Sequence, residues 1–182
     1  MVASVQRAVR SLGMEGDDLL LLERAHRLAM EPRIASLDDD HHAAYLHPGR
    51  TVLILVRDVG VSDADVLAAA ALCETMDSFL RVDLDRIRET LGSVVADLLE
   101  AVPDAASDRL VEELVTAPEP VQWIALAERL DHFRHLHMRE GTERWPDLHE
   151  EGTTVWLPVA ERVHARLATR YRHWQKVFAR RL

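Results

Sequence analysis

A histidine and a run of soft or acidic side chains fall where two helix ends should meet. His47 stands before proline in YLHPGR, and Cys73, Glu74 and Asp77 follow in ALCETMDS. Imidazole, thiolate and carboxylate are the donors that hold a divalent transition ion, and such an ion makes water a nucleophile near neutral pH. The residue types therefore suit hydrolytic metal chemistry. A plainer reading stands beside it: a cysteine closing an Ala-rich helix is a small core residue, and a His-Pro start is a simple helix cap. Spacing alone leaves both open.

Two helices must position these residues. Positions 48–57 place Val52, Leu53, Leu55 and Val56 on one side, the pattern of an amphipathic helix, and Gly60 stops it. Ser62, with Asp65 three places on, predicts the N-cap of the next helix. Val66, Leu67, Ala69, Ala70, Ala71 and Leu72 make that helix apolar on nearly every side, so it should be buried. It delivers Cys73, Glu74 and Asp77 close to where His47 opens the preceding helix.

This stretch resembles the HD-domain phosphohydrolases, in particular the alarmone (guanosine tetraphosphate) hydrolases of the bacterial stringent response and their small stand-alone relatives. In that family a histidine before proline, an adjacent His-Asp pair and a later Asp hold a divalent ion. LHPGR matches the first at His47. ALCETMDS stands where the family reads like ALLHDTVEDT, so the pair falls on Cys73 and Glu74. LAERLDHFRHL stands where the family reads like LADRLHNMRTL, which puts Glu128 at the later Asp. The resemblance implies a zinc or manganese centre of His47, Cys73, Glu74 and Glu128, with Glu74 and Asp77 serving catalysis. Ser78 replaces the second acid of the family's Glu-Asp pair. Substrate contacts are implied for Arg33, Tyr45, Arg50 and His132, the last standing where relatives carry asparagine. Of the four ligand positions, His47 alone keeps the family residue. Each Asp-to-Glu change moves a carboxylate by about one bond, ~1.5 Å, against a catalytic tolerance of about 0.5 Å.

The chain of 182 residues is read as one domain, with residues 1–16 as a peripheral arm and 145–182 as closing helices. Hydrophobic residues at 48% support a real core, and aromatics at only 5% amid plentiful Ala and Leu favour helices over sheets. The expected architecture is all-α, and the resemblance implies an HD-domain helical bundle covering nearly the whole chain. A formal charge of −9 argues against nucleic acid or an anionic membrane as main partner. It leaves room for a small phosphorylated, nucleotide-like ligand in a local basic pocket. One cysteine and no membrane-spanning run lead to the expectation of a cytoplasmic protein. There is no P-loop, no Gly-x-Gly-x-x-Gly, no Gly-x-Ser-x-Gly and no Cys-x-x-Cys.

Along the rest of the chain, residues 1–13 predict a short helix or a loosely docked arm, and Asp17 to about Met30 a second helix. Residues 31–46 are expected to be a loop, in which His41-His42 after Asp38–Asp40 are solvated or hold a surface ion. Asp83 should cap a helix that Gly92 stops; helices are predicted over 93–99 and 107–116, with a breaker at 117–120. The next helix carries Glu128, which the Glu128-Arg129 pair would otherwise place on a surface. His132, His135 and His137 read as a polar face rather than a second metal site. Trp123, Trp156 and Trp174 suit helix packing, Pro158 opens or kinks a helix, and Arg180-Arg181 favour a helix C-terminus. Two functions follow: a divergent metal-dependent hydrolase of a nucleotide-like phosphate ester or pyrophosphate, or a pseudo-hydrolase that kept the scaffold as a binding or regulatory module.

Overall fold

A computed structural model describes residues 3–37, 42–75 and 77–182, and among them all regular structure is helical, with no strand. The helices are α1 (Ala3–Arg10), α2 (Asp17–Ser36), α3 (His47–Ile54), α4 (Ala64–Leu72), α5 (Leu84–Leu91), α6 (Ser93–Glu100), α7 (Leu110–Thr116), α8 (Glu119–Arg134), α9 (Leu136–Arg139), α10 (Trp145–Glu151), α11 (Leu157–Val163) and α12 (Ala165–Phe178). One hydrophobic cluster connects them from Val5 to Phe178.

At its centre lies α4, buried from Val66 to Leu72 and packed against α2, α3, α6 and α8. Its four consecutive alanines let neighbouring backbones approach closely on every side. Asp63, rather than Ser62, caps it: the Asp63 carboxylate accepts from the N–H groups of Asp65 (2.9 Å) and Val66 (3.1 Å). With the helix starting at Ala64, Ser62 lies one residue too early to reach the first-turn donors. Asp83 caps α5 in the same way, and Gly92 ends it at a φ of 101°.

The expected loop at 31–46 is helical as far as Ser36. Pro32 deprives the ladder of one donor, yet Arg33, the next residue, anchors the last turn. Buried at 2% exposure, it donates from Nη1 to the Ala29 carbonyl (2.7 Å) and from Nε to the Ala44 carbonyl (2.8 Å). Tertiary hydrogen bonding here overrides the local signal.

Helix α3 ends in a wider π-type turn over Leu55–Val59, closed by Gly60 in the left-handed region at φ 88°. The extra residue turns Asp58 inward, where it accepts from Arg170 of α12 at 2.7 and 3.0 Å. A second such turn, Gly152–Trp156, joins α10 to α11, and Pro158 follows it directly, so the residue that lacks an N–H falls just after the wider turn. Similarly, α8 begins at Glu119 within the expected breaker, with Pro118 as its N-cap and Pro120 in its first turn.

The first segment forms the short helix, the first of the two expected alternatives, and it is docked: Val5 and Val9 of α1, with Met14, are buried in the main core. At the other end, Trp174 stacks on Phe133 (ring centroids 4.6 Å apart) and donates from Nε1 to the Phe133 carbonyl (2.7 Å). Gly152 lies against this stack, and a Cβ there would come within 2.5 Å of the Trp174 ring. Gly152→Ala should therefore overpack the contact and cost about 1–3 kcal/mol in urea denaturation; a variant as stable as the parent would contradict this packing. No helix among the described residues is long and apolar enough to cross a membrane.

Candidate metal centre

Three elements converge on one buried point. The first residue of α3 supplies His47, the segment leaving α4 supplies Glu74, and one face of α8 supplies Glu128 and His132 at i, i+4 spacing. Their ligand atoms lie within 4.8 Å of one another, and all four residues are buried. His132 Nε2 is 2.9 Å from Glu128 Oε1 and 3.0 Å from Glu74 Oε1. His132 Nε2 is thus ion-paired to both carboxylates without well-aligned hydrogen bonds, and the second Glu128 oxygen, Oε2, is buried with no hydrogen-bond partner among the described residues. Such orphaned atoms are rare and costly. Donors held about 2.0–2.2 Å from a common ion lie roughly 3 Å apart at right-angle positions. The four residues thus fit a divalent ion in chemistry, and their spacing, up to 4.8 Å, lies within a small side-chain adjustment of a common coordination sphere.

The surrounding shell orients this set. His47 Nδ1 is 2.8 Å from Asp131 Oδ2. Burial works against the Asp131 anion, but bonds from His135, His47 and Arg50 hold it well below the usual carboxylate range. An ionised carboxylate can only accept, so His47 donates from Nδ1, which leaves Nε2, 3.3 Å from the Cys73 carbonyl, as the atom it could offer an ion. Arg50 grips Asp131 through Nε (2.7 Å) and Nη2 (3.0 Å). Arg33 Nη2 donates to Glu74 Oε2 at 2.9 Å. The Thr75 N–H and hydroxyl both donate to Glu128 Oε1, at 2.9 and 2.7 Å. Buried Arg129 lies over the Trp156 ring at 4.8 Å and donates to the Thr75 hydroxyl.

Electrostatics ties the four residues into one unit. Burial disfavours a charged imidazole, yet the Glu128 and Glu74 carboxylates outweigh it and lift His132 to about 9. Burial also opposes the Glu128 anion, but His132, Arg129 and His47 bring it down to about 2.

Of the expected ligands, His47, Glu74 and Glu128 come together and Cys73 does not join them. Cys73 is the residue after α4, its side chain buried in the apolar core; burial and the two glutamates push its thiol well above the usual range, against thiolate coordination. His132 takes part instead, because i, i+4 spacing on α8 stacks it over Glu128. Arg33 is committed to Glu74 and two carbonyls rather than facing a ligand, and Arg50 is committed to Asp131 and the Ala43 carbonyl. Tyr45 donates to the Leu37 carbonyl at 3.1 Å. Asp77, half-buried, approaches the group through its backbone N–H, 3.3 Å from Glu74 Oε1. Glu128-Arg129 is buried rather than a surface pair. His135 supports Asp131, and His137 is exposed elsewhere. The Asp38–Asp40 and His41 positions lie outside the described residues.

Asp131, Thr75 and Arg81 were not singled out by sequence. For Asp131 a signal exists: Glu128, Asp131, His132 and His135 recur at three- and four-residue spacing along a helix otherwise rich in Leu and Ala. Asp131→Asn should weaken zinc or manganese affinity by about 10–100-fold; unchanged affinity in a chelator-competition titration would remove Asp131 from the site.

A cleft of about 270 Å³ adjoins the group, lined among others by Glu74, Thr75, Arg81, Leu84, Leu99 and Asp104. Arg81 is fixed at its edge, donating to the Glu74 (2.8 Å) and Thr75 (2.9 Å) carbonyls. No family model matches the chain, and no curated protein matches it.

Proposed function

We propose that the protein is a divergent metal-dependent phosphohydrolase of HD-domain type, acting on a phosphate ester or pyrophosphate of a small nucleotide-like molecule. The observation that supports it is the convergence of four buried donors on one point, with Glu128 Oε2 buried among them and without a hydrogen-bond partner among the described residues. His47, Glu74, Glu128 and His132 would hold zinc or manganese; with no thiolate in the set, nitrogen and oxygen donors suit either ion. When bound, such an ion supplies Lewis-acid activation of water and neutralises charge on a phosphoryl group.

The chain's own residues do the rest. Asp131 and Arg50 fix the His47 ring, Thr75 fixes Glu128, and Arg33 fixes Glu74. The adjoining cleft gives a phosphorylated substrate an approach past Arg81, whose charge favours an anion there. Asp77, three residues after Glu74 and half-buried, is the carboxylate at hand to accept a proton.

A second reading has its own support. With His132 lifted to about 9, a proton on its imidazole balances the two glutamates as an ion would. In that form the scaffold is a binding or regulatory module without turnover. Phosphate release from nucleoside diphosphates and guanosine tetraphosphate, measured with and without added zinc or manganese, separates the two. Metal-dependent release that Glu128→Gln abolishes supports the hydrolase, whereas a bound ion with no turnover leaves the module.

A further inference from the structure

We infer that a second, cationic cleft between the end of α8, α9 and α12 is a binding site for a small diphosphate-bearing anion. It has a volume of about 240 Å³ and is lined by Arg134, His137, Arg170, His173, Trp174 and Arg181, with Val177 and Phe178. Three guanidinium groups, one of them paired with Asp58, and two imidazoles therefore meet around one concavity, and none of its described lining residues is acidic. The cleft shares no lining residue with the one beside the metal-binding group.

The five basic side chains of the rim are exposed, and three features suit the cleft to an anion. First, Arg170 is held in place: Asp58, turned inward by the π-type turn after α3, accepts from its Nε and Nη2. That leaves Nη1 of a fixed guanidinium for a ligand, and a planar, oriented fork suits phosphate oxygens. Second, the Arg134 and Arg181 guanidiniums have no hydrogen bond or ion pair among the described residues, although the chain as a whole carries a charge of −9. Third, the floor is apolar: Trp174 and Phe178 are 5% and 3% exposed, and a low-dielectric wall strengthens attraction for an anion at the rim.

Charge is concentrated on this side of the molecule. Residues 165–182 hold six Arg and Lys and no Asp or Glu. His137 feels the excess; burial, then Arg181 and His135, hold its imidazole below the ordinary range. An anion in the cleft relieves that repulsion. The size argues for a small ligand, since the volume is below the roughly 300–1,000 Å³ of sites that enclose drug-sized molecules. The net negative charge of the chain disfavours a long polyanion. Three guanidiniums around the cleft match the several charges of a diphosphate better than the single charge of a carboxylate.

Isothermal titration of the full chain with inorganic pyrophosphate, at fixed moderate ionic strength, tests the site. Saturable binding to one site is expected. The double variant Arg134→Gln with Arg181→Gln should weaken it at least about 10-fold, because each lost charge-assisted contact is strong. The control double variant Arg166→Gln with Arg180→Gln removes the same charge from the same region outside the cleft and should change affinity no more than about twofold. A parallel titration with ADP separates sources: equal affinity assigns recognition to the diphosphate alone, and tighter ADP binding assigns a nucleoside as well. Absence of saturable binding overturns the site. So does equal weakening in both double variants, which would mean diffuse attraction. Undiminished binding in Arg134→Gln with Arg181→Gln would move the ligand elsewhere and overturn it too.

Discussion

Arg33→Met should destabilise the metal-free protein by about 3–5 kcal/mol, the cost of breaking a buried ion pair by removing one partner. Both members of the pair are out of water: the Arg33 and Glu74 side chains are 2% and 0% exposed, at 2.9 Å. Methionine fills much of the volume but carries no charge, so Glu74 and Glu128 would face each other with less cation nearby. The same variant should regain stability on adding zinc, because an ion bound only by the folded state stabilises by about 2.7 kcal/mol at a hundredfold excess over its dissociation constant. Urea denaturation with and without chelator reads both effects. A loss below about 1 kcal/mol, the size of an ordinary substitution, would mean that the pair is better hydrated than its burial implies.

Glu128→Gln should abolish tight metal binding, with a loss exceeding the roughly 10–100-fold typical of outer-shell partners. The amide keeps the shape and can still accept from Thr75, so folding should survive. It also removes the anion that outweighs burial in lifting His132 to about 9, which gives a second readout. A raised imidazole contributes stability that is whole below its ordinary value of 6.5 and is lost as pH rises through about 9. Chelated wild-type protein should therefore lose stability between those limits, and Glu128→Gln should show a much flatter profile there. Glu128 itself, lowered to about 2 from 4.5, contributes stability that is lost as pH falls through that lower range. Matching alkaline profiles for the two proteins would break the link between Glu128 and His132.

The all-helical class and the burial of α4 were readable because Ala and Leu dominate and caps such as Asp83 and stops such as Gly92 and Gly60 are local signals. The extension of α2 through Pro32 was not, since what holds that turn is Arg33 bonding to residues distant in sequence, Ala44 and Glu74. The site divides on the same line. His47, Glu74 and Glu128 could be placed from motif positions, and they converge. Whether the residue before Glu74 faces the same point depends on how the chain leaves α4, and it places Cys73 in the apolar core. His132 and Asp131 were written in the spacing of α8, but charged residues on that spacing usually mark a solvated face. Here α8 is enclosed by α3, α4 and α12, so the stripe is buried and its groups must satisfy one another.

Elemental analysis of the purified protein, before and after incubation with zinc and manganese, tests the metal-binding group most directly. About one ion per chain is expected, consistent with a single four-donor group, and His47→Ala should lose it while remaining folded by circular dichroism. A wild-type protein that takes up neither ion would contradict the account, and the cluster would then be a proton-balanced His132 held between Glu74 and Glu128.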